Sequence, residues 1–157
     1  MIMRQDIINI ALKEIGYKEN PPNSNNTKYG VWFGLNNVAW CGIFCSWVYY
    51  QAKHPLGIVD YTKGIAGVPF ALNFYRRKGK ITKTPHMGDL VILDWDLDKS
   101  PDHIAIFYKW LDEKKGIFQT IEGNTSFGNQ SNGGEVMIRE RFVKHVQVFV
   151  DPLGLPF

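Results

Sequence analysis

The chain has 157 residues, 45% of them hydrophobic and 14% aromatic, enough for one domain with a substantial core and too few for two. Its net charge of +3 comes from dispersed Lys and Arg, apart from Arg76-Arg77-Lys78 and Lys114-Lys115, so it lacks the basic stripe that tracks nucleic acid. No apolar run is long enough to span a membrane, which argues against a membrane protein.

Ile7, Ile8, Ala11, Leu12 and Ile15 trace one helical face, and Gly16 follows as a stop signal. From Tyr17 to Ala39 turn formers dominate, yet Tyr29, Val31, Trp32, Phe33 and Leu35 are interleaved, which predicts an ordered loop packed on the domain. After Trp40 the apolar residues Ile43, Phe44, Trp47 and Val48 take the spacing of an amphipathic helix, running from about Cys41 to Lys53. A third helix starts at Pro69 and ends at Gly79, with Arg76, Arg77 and Lys78 in its last turn, where cations suit the dipole.

Beyond Gly79 the period changes to two. Strands are expected at Leu90 to Trp95, Ile104 to Tyr108, Ile117 to Glu122, Val136 to Arg141 and Val146 to Val150, with turn-rich segments between them, including residues 129–134. Helices first and an antiparallel meander of about five strands second define an α+β domain.

Cys41 falls at a predicted helix start, where unpartnered backbone N–H groups stabilise a thiolate, so it is a candidate nucleophile. Cys45, one turn later, lacks the spacing of a redox pair and reads as a core residue; both are read as free thiols. His103 opens a strand and suits a general base. Glu122 and Asn124 close the next strand on one face by alternation. If the two strands pair through a hairpin near Asp112 to Gly116, His103 comes beside both, and either could hold the imidazole. A Cys activated by His, with an acceptor on the second ring nitrogen and backbone N–H groups for the oxyanion, is a set for nucleophilic acyl transfer.

Trp40-Cys41-Gly42-Ile43-Phe44, Gly88-Asp89-Leu90-Val91-Ile92, His103-Ile104-Ala105-Ile106 and Ile121-Glu122-Gly123-Asn124-Thr125 stand in this order. Together they resemble the motifs of the CHAP family, the cysteine, histidine-dependent amidohydrolases/peptidases of the papain-like and NlpC/P60-like group. The resemblance covers roughly Ile7 to Val150. It implies a papain-like fold and cleavage of bacterial peptidoglycan, at the N-acetylmuramoyl-L-alanine amide or at a peptide bond of the stem or cross-bridge. By position it makes Cys41 the nucleophile, His103 the base, Glu122 the residue orienting it and Asn124 a supporting polar residue. By analogy with papain-like enzymes, the segment before the nucleophile offers Asn26 and Tyr29 as oxyanion or groove residues; Trp40 is a groove wall or a core anchor. No cofactor is implied.

The chain departs from the family in one respect. Some phage members carry a calcium-binding Asp cluster just before the nucleophile, whereas no carboxylate lies between Asn20 and Cys41 here. Asp94-Trp95-Asp96-Leu97-Asp98 opens like an EF-hand loop, but Lys99 stands where the turn Gly belongs and Ala105 where the bidentate Glu belongs. This reads as a solvated acidic turn, and no metal is expected. His54, His86 and His145 have no second ligand at zinc spacing and read as surface or capping residues.

No signal peptide or wall-binding module is evident, so the expectation is cytoplasmic synthesis and action at the wall after release or delivery, with targeting from the domain itself or from a separate protein. A phage lysin or a delivered toxin fits this pattern. Two rival readings are an amidase or transamidase on a non-wall amide, and a catalytically silent wall-binding subunit.

Overall fold

A computed structural model describes residues 3–130 and 132–155. Ser131, in the turn-rich 129–134 segment, lies outside the described residues. Four α-helices, α1 (Arg4–Lys13), α2 (Lys28–Phe33), α3 (Cys41–Gln51) and α4 (Val68–Arg77), precede six strands among these residues. The strands are β1 (Ile81–Thr82), β2 (Leu90–Leu93), β3 (His103–Asp112), β4 (Ile117–Thr125), β5 (Glu135–Phe142) and β6 (Val146–Val150). The α+β class expected from the sequence is observed.

The differences from expectation are local. Residues 17–39 contain a short helix, α2, started by the Thr27 hydroxyl accepting from the Gly30 N–H at 2.9 Å and stopped by Gly34 at φ +87°. Six residues with a glycine among them give no readable period, which is why the segment looks like a loop in the sequence. β1 is likewise too short to carry an alternation.

Nor is the sheet a simple meander. Its order is β1-β6-β2-β3-β4-β5, antiparallel throughout, so β6 returns past three strands to pair with β2. Alternation tells which face a strand buries but not which neighbour it takes.

Helix α3 is central and not amphipathic: eight of its eleven residues are buried, from Cys41 through Ser46 and then Val48 and Tyr49. Two glycines let its start fit closely. A Cβ on Gly42 would lie 2.6 Å from Ile65 Cγ2, and one on Gly123 of β4 would lie 2.6 Å from Phe44 Cβ and 2.9 Å from Trp40 Cζ3. The helices cover one sheet face with the main core. The other face holds a second cluster built on Val91, Leu93, Ala105, Phe107, Phe118 and Phe149. His103 shares the side-chain parity of Ala105 and Phe107, and Thr120 and Glu122 that of Phe118, so they extend this second face.

At the domain's edge, the Asp89 carboxylate accepts from Arg4 Nη1 at 2.5 Å and from the His86 N–H at 2.8 Å, while Arg4 also donates to the Leu155 carbonyl. The Gly88-Asp89 pair therefore ties α1 and the C-terminal segment to the sheet. The loop between β2 and β3 departs from the solvated acidic turn expected, because Asp94 is only 4% exposed.

Candidate active site

Cys41 is the first residue of α3, and the first hydrogen bond of that helix joins the Phe44 N–H to the Trp40 carbonyl at 2.8 Å. The amides of Cys41, Gly42 and Ile43 thus precede the helical ladder, and they set a positive potential at the sulfur. His103 begins β3 and is fully buried, although a strand start suggests exposure.

Its Nε2–H donates to Glu122 Oε1 at 3.0 Å. Nδ1 is buried with no other hydrogen-bond partner, which leaves it to face the Cys41 sulfur. That tautomer is the one a Cys–His pair requires.

Glu122 is held on every side. Its Oε1 also accepts from Arg141 Nη2 at 2.5 Å, and its Oε2 accepts from Arg141 Nε at 2.7 Å and from the Thr120 hydroxyl at 2.5 Å. Burial pushes this carboxyl up, but the charges and hydrogen bonds of His103 and Arg141 hold it well below the usual carboxylate range. Burial pushes the His103 imidazole down, and the Glu122 charge with the hydrogen bonds to Cys41 and Glu122 reverses this, raising it to about 9.

For Cys41, burial raises the thiol; the hydrogen bond and charge of His103, then the N–H groups of Ile104 and Gly42, outweigh it and bring the pKa below the ordinary value. Cys45 has no such partner. Burial, then the charges of Cys41 and Glu122, push its thiol well above the ordinary value. Of the two cysteines, then, Cys41 alone has its thiol lowered by a histidine partner.

Trp95 stacks on the His103 ring, with centroids 6.1 Å apart and planes 27° apart, and the Arg141 guanidinium lies 4.6 Å from the Trp95 ring centroid. A cavity of about 220 Å³ opens over Trp95, Arg139, Arg141 and His145, with His145 edge-on to Trp95. Indole and guanidinium together cover the His103–Glu122 hydrogen bond.

The remaining expected site residues have scaffolding contacts. Extending the β3–β4 register from Ile106↔Ile121 puts Asn124 opposite His103. However, the β4–β5 ladder shifts between Glu122 and Thr125, and Asn124 takes φ +58°, in the left-handed region that Asn tolerates. Its amide donates to Asn132 Oδ1 at 2.8 Å and accepts from the Gly134 N–H at 3.2 Å. Asn124 therefore shapes the β4–β5 connection, and the imidazole goes to Glu122 on the diagonal.

Tyr29 and Trp40 are both fully buried and stack at 5.5 Å, with the Tyr29 hydroxyl donating to Glu14 at 2.7 Å and the Trp40 indole N–H to Glu19 at 3.2 Å. These side chains form the floor under the nucleophile and line no groove. Asn26 is exposed, donating to the Asn20 carbonyl at 2.9 Å and accepting from Asn36 at 2.6 Å, so it braces its own loop.

Arg141, Thr120 and Trp95 are site residues that sequence reasoning missed. Thr120 was findable as the residue two before Glu122 on the same face. Arg141 was not, because it pairs in register with Phe118 and reaches Glu122 only through the length of its side chain.

In fold, the chain resembles an endolysin. The crystal structure of the wild-type endolysin LysIME-EF1 matches over 98% of this chain with a TM-score of 0.62 and 12% sequence identity. At that identity the likeness concerns the fold, and this chain spans 65% of the length of that protein. No protein-family model matches the sequence, and no curated protein does.

Proposed function

We propose that this chain is a cysteine-dependent peptidoglycan hydrolase of the CHAP type. On this reading it cleaves the N-acetylmuramoyl-L-alanine amide or a peptide bond of the stem or cross-bridge. The observation that carries the proposal is the alignment of Cys41 at a helix start with His103, whose far nitrogen bonds to an ionised, doubly anchored Glu122. The likeness in fold to an endolysin supports a cell-wall substrate for this reading.

In the proposed reaction the Cys41 thiolate attacks the amide carbonyl carbon, and the electron pair of the C=O moves onto oxygen. Backbone N–H groups at the start of α3 receive that oxyanion. The intermediate collapses as imidazolium Nδ1–H of His103 protonates the departing nitrogen, the C–N bond breaks and a thioester remains. Neutral Nδ1 then takes a proton from water as the water attacks the thioester. Collapse of the second intermediate releases a carboxylic acid and the Cys41 thiolate beside a reprotonated His103. Throughout, Glu122 stays ionised and stabilises the imidazolium each time it forms.

The test is mass analysis of fragments released from purified peptidoglycan by the wild-type protein and by Cys41→Ala. Free muramoyl lactyl groups identify an amidase, and new peptide termini an endopeptidase. No release by a folded wild-type protein, from walls of several cross-link types, would refute the reading.

A further inference from the structure

The geometry points to a binding site for a hard divalent cation of the calcium class in the β2–β3 loop, beside the active site but separate from it. Asp94, Asp96 and Asp102 each bring a carboxylate oxygen to within 4.8 Å of the others. Two oxygens on one calcium ion, at 2.3–2.6 Å each, lie at most about 5 Å apart, so the three fit one ion.

A second observation is independent of the cluster. Asp94 is 4% exposed; its Oδ2 accepts from the Lys99 N–H at 2.8 Å, but its Oδ1 is buried without a donor. A buried carboxylate oxygen without a partner is costly, and a bound cation removes that cost. The Gln147 carboxamide abuts the same loop, donating from Nε2 to the Lys99 carbonyl at 2.9 Å, and its Oε1 is likewise buried without a donor. An orphaned, buried Asp94 oxygen within a cluster of three carboxylates describes a hard-cation environment. Among the described residues, no Lys or Arg forms an ion pair with any carboxylate of this loop.

The backbone is wound to suit. Leu97 and Lys99 both take left-handed φ, +59° and +73°, and the Asp102 Oδ2 accepts from the Trp95 N–H at 2.7 Å, closing the loop on itself. This arrangement uses neither the turn glycine nor the terminal Glu of an EF-hand; the third carboxylate comes from Asp102, past the turn. Because Trp95 lies inside the loop and stacks on His103, a bound cation steadies the cover of the catalytic hydrogen bond. That last step rests on the function proposed above, whereas cation binding does not.

Terbium is the probe, since Trp95 is placed to sensitise its luminescence. With wild-type protein, tryptophan excitation is expected to give terbium emission that calcium displaces, and calcium alone is expected to raise the unfolding temperature by several degrees. In Asp96→Asn, whose side chain is exposed, terbium affinity should fall at least tenfold and the calcium effect on unfolding should vanish. Asp102→Asn should behave the same way, with circular dichroism confirming that each variant is folded. The inactive Cys41→Ala protein should bind like wild type, so the result is independent of peptidoglycan cleavage. Absence of calcium-displaceable emission up to millimolar calcium, or equal affinity in both folded Asp variants, would overturn the site.

Discussion

Arg141 grips both carboxylate oxygens of Glu122, through Nη2 to Oε1 at 2.5 Å and through Nε to Oε2 at 2.7 Å. The paired, planar contact fixes the carboxylate while Oε1 keeps a direction free for His103. Arg141 is therefore a positioning residue for the candidate site, acting through Glu122 on the imidazole.

From this follows a ranking of two substitutions. Glu122→Gln removes the charge that raises His103, and it should lower peptidoglycan-hydrolysis rate by on the order of a hundredfold. His103, at about 9 in the native site, then loses its proton at lower pH, so the alkaline limb of the pH–rate profile should move downward. Asn124→Ala removes the contacts to Asn132 and Gly134 but leaves the His103–Glu122 bond, so its profile should keep its shape. Rate profiles for both variants check this; near-normal activity in Glu122→Gln with an inert Asn124→Ala would assign the orienting role to the amide.

Arg141→Met offers a test of positioning. It strands Glu122 beside a half-vacated site, and loss of one partner of a buried ion pair costs about 3–5 kcal/mol of stability. Glu122 should titrate closer to the ordinary carboxylate range, since the hydrogen bond and charge of Arg141 help depress it. A depressed carboxyl contributes its full stability above its unfolded pKa and loses it progressively as pH falls from there through the folded one, so wild type should lose stability steadily below about pH 5. The variant, less stable at neutral pH, should show a shallower loss over the same range, because its Glu122 has a smaller shift to lose. Urea midpoints between pH 3 and 7 report the difference.

The two thiols should part sharply in reactivity. Cys41 is a lowered, His-paired thiol and Cys45 a fully buried, raised one. Brief treatment of native protein with iodoacetamide, followed by peptide mass analysis, should find the label on Cys41, with Cys45 reacting only on unfolding. Equal labelling would remove the case for activation.

Tyr29→Phe separates floor from groove. The loss of the bond to Glu14 should cost about 1 kcal/mol of stability, read by chemical denaturation. If the proposed function holds, KM for peptidoglycan fragments should not change, because the ring is fully buried.

Much of this was readable in advance. A helix start, a strand start and a strand end mark Cys41, His103 and Glu122 by local pattern, and the β3–β4 pairing then brings His103 to Glu122. Asn124 was misplaced for the opposite reason: alternation assumes extended backbone, and a left-handed residue at a register shift breaks it. Tyr29 reads as a groove residue only by analogy with papain-like enzymes, and Trp40 reads as either groove wall or core anchor; the large rings of both favour the core, where both lie. Arg141 depends on a side-chain reach and β6 on a strand pairing across the sheet, and neither has a local signature.

The place of β6 between β1 and β2 also bears on biosynthesis. β2 carries Leu93, the register partner of His103, and its other edge stays open until Val146–Val150 arrives. A nascent chain paused before that strand has already emerged with Cys41, His103 and Glu122, yet lacks the rib that completes the sheet beside them. Such non-local closure makes folding wait for synthesis. A domain assembled in this order completes the sheet beside its candidate site only once β6 has left the ribosome and docked.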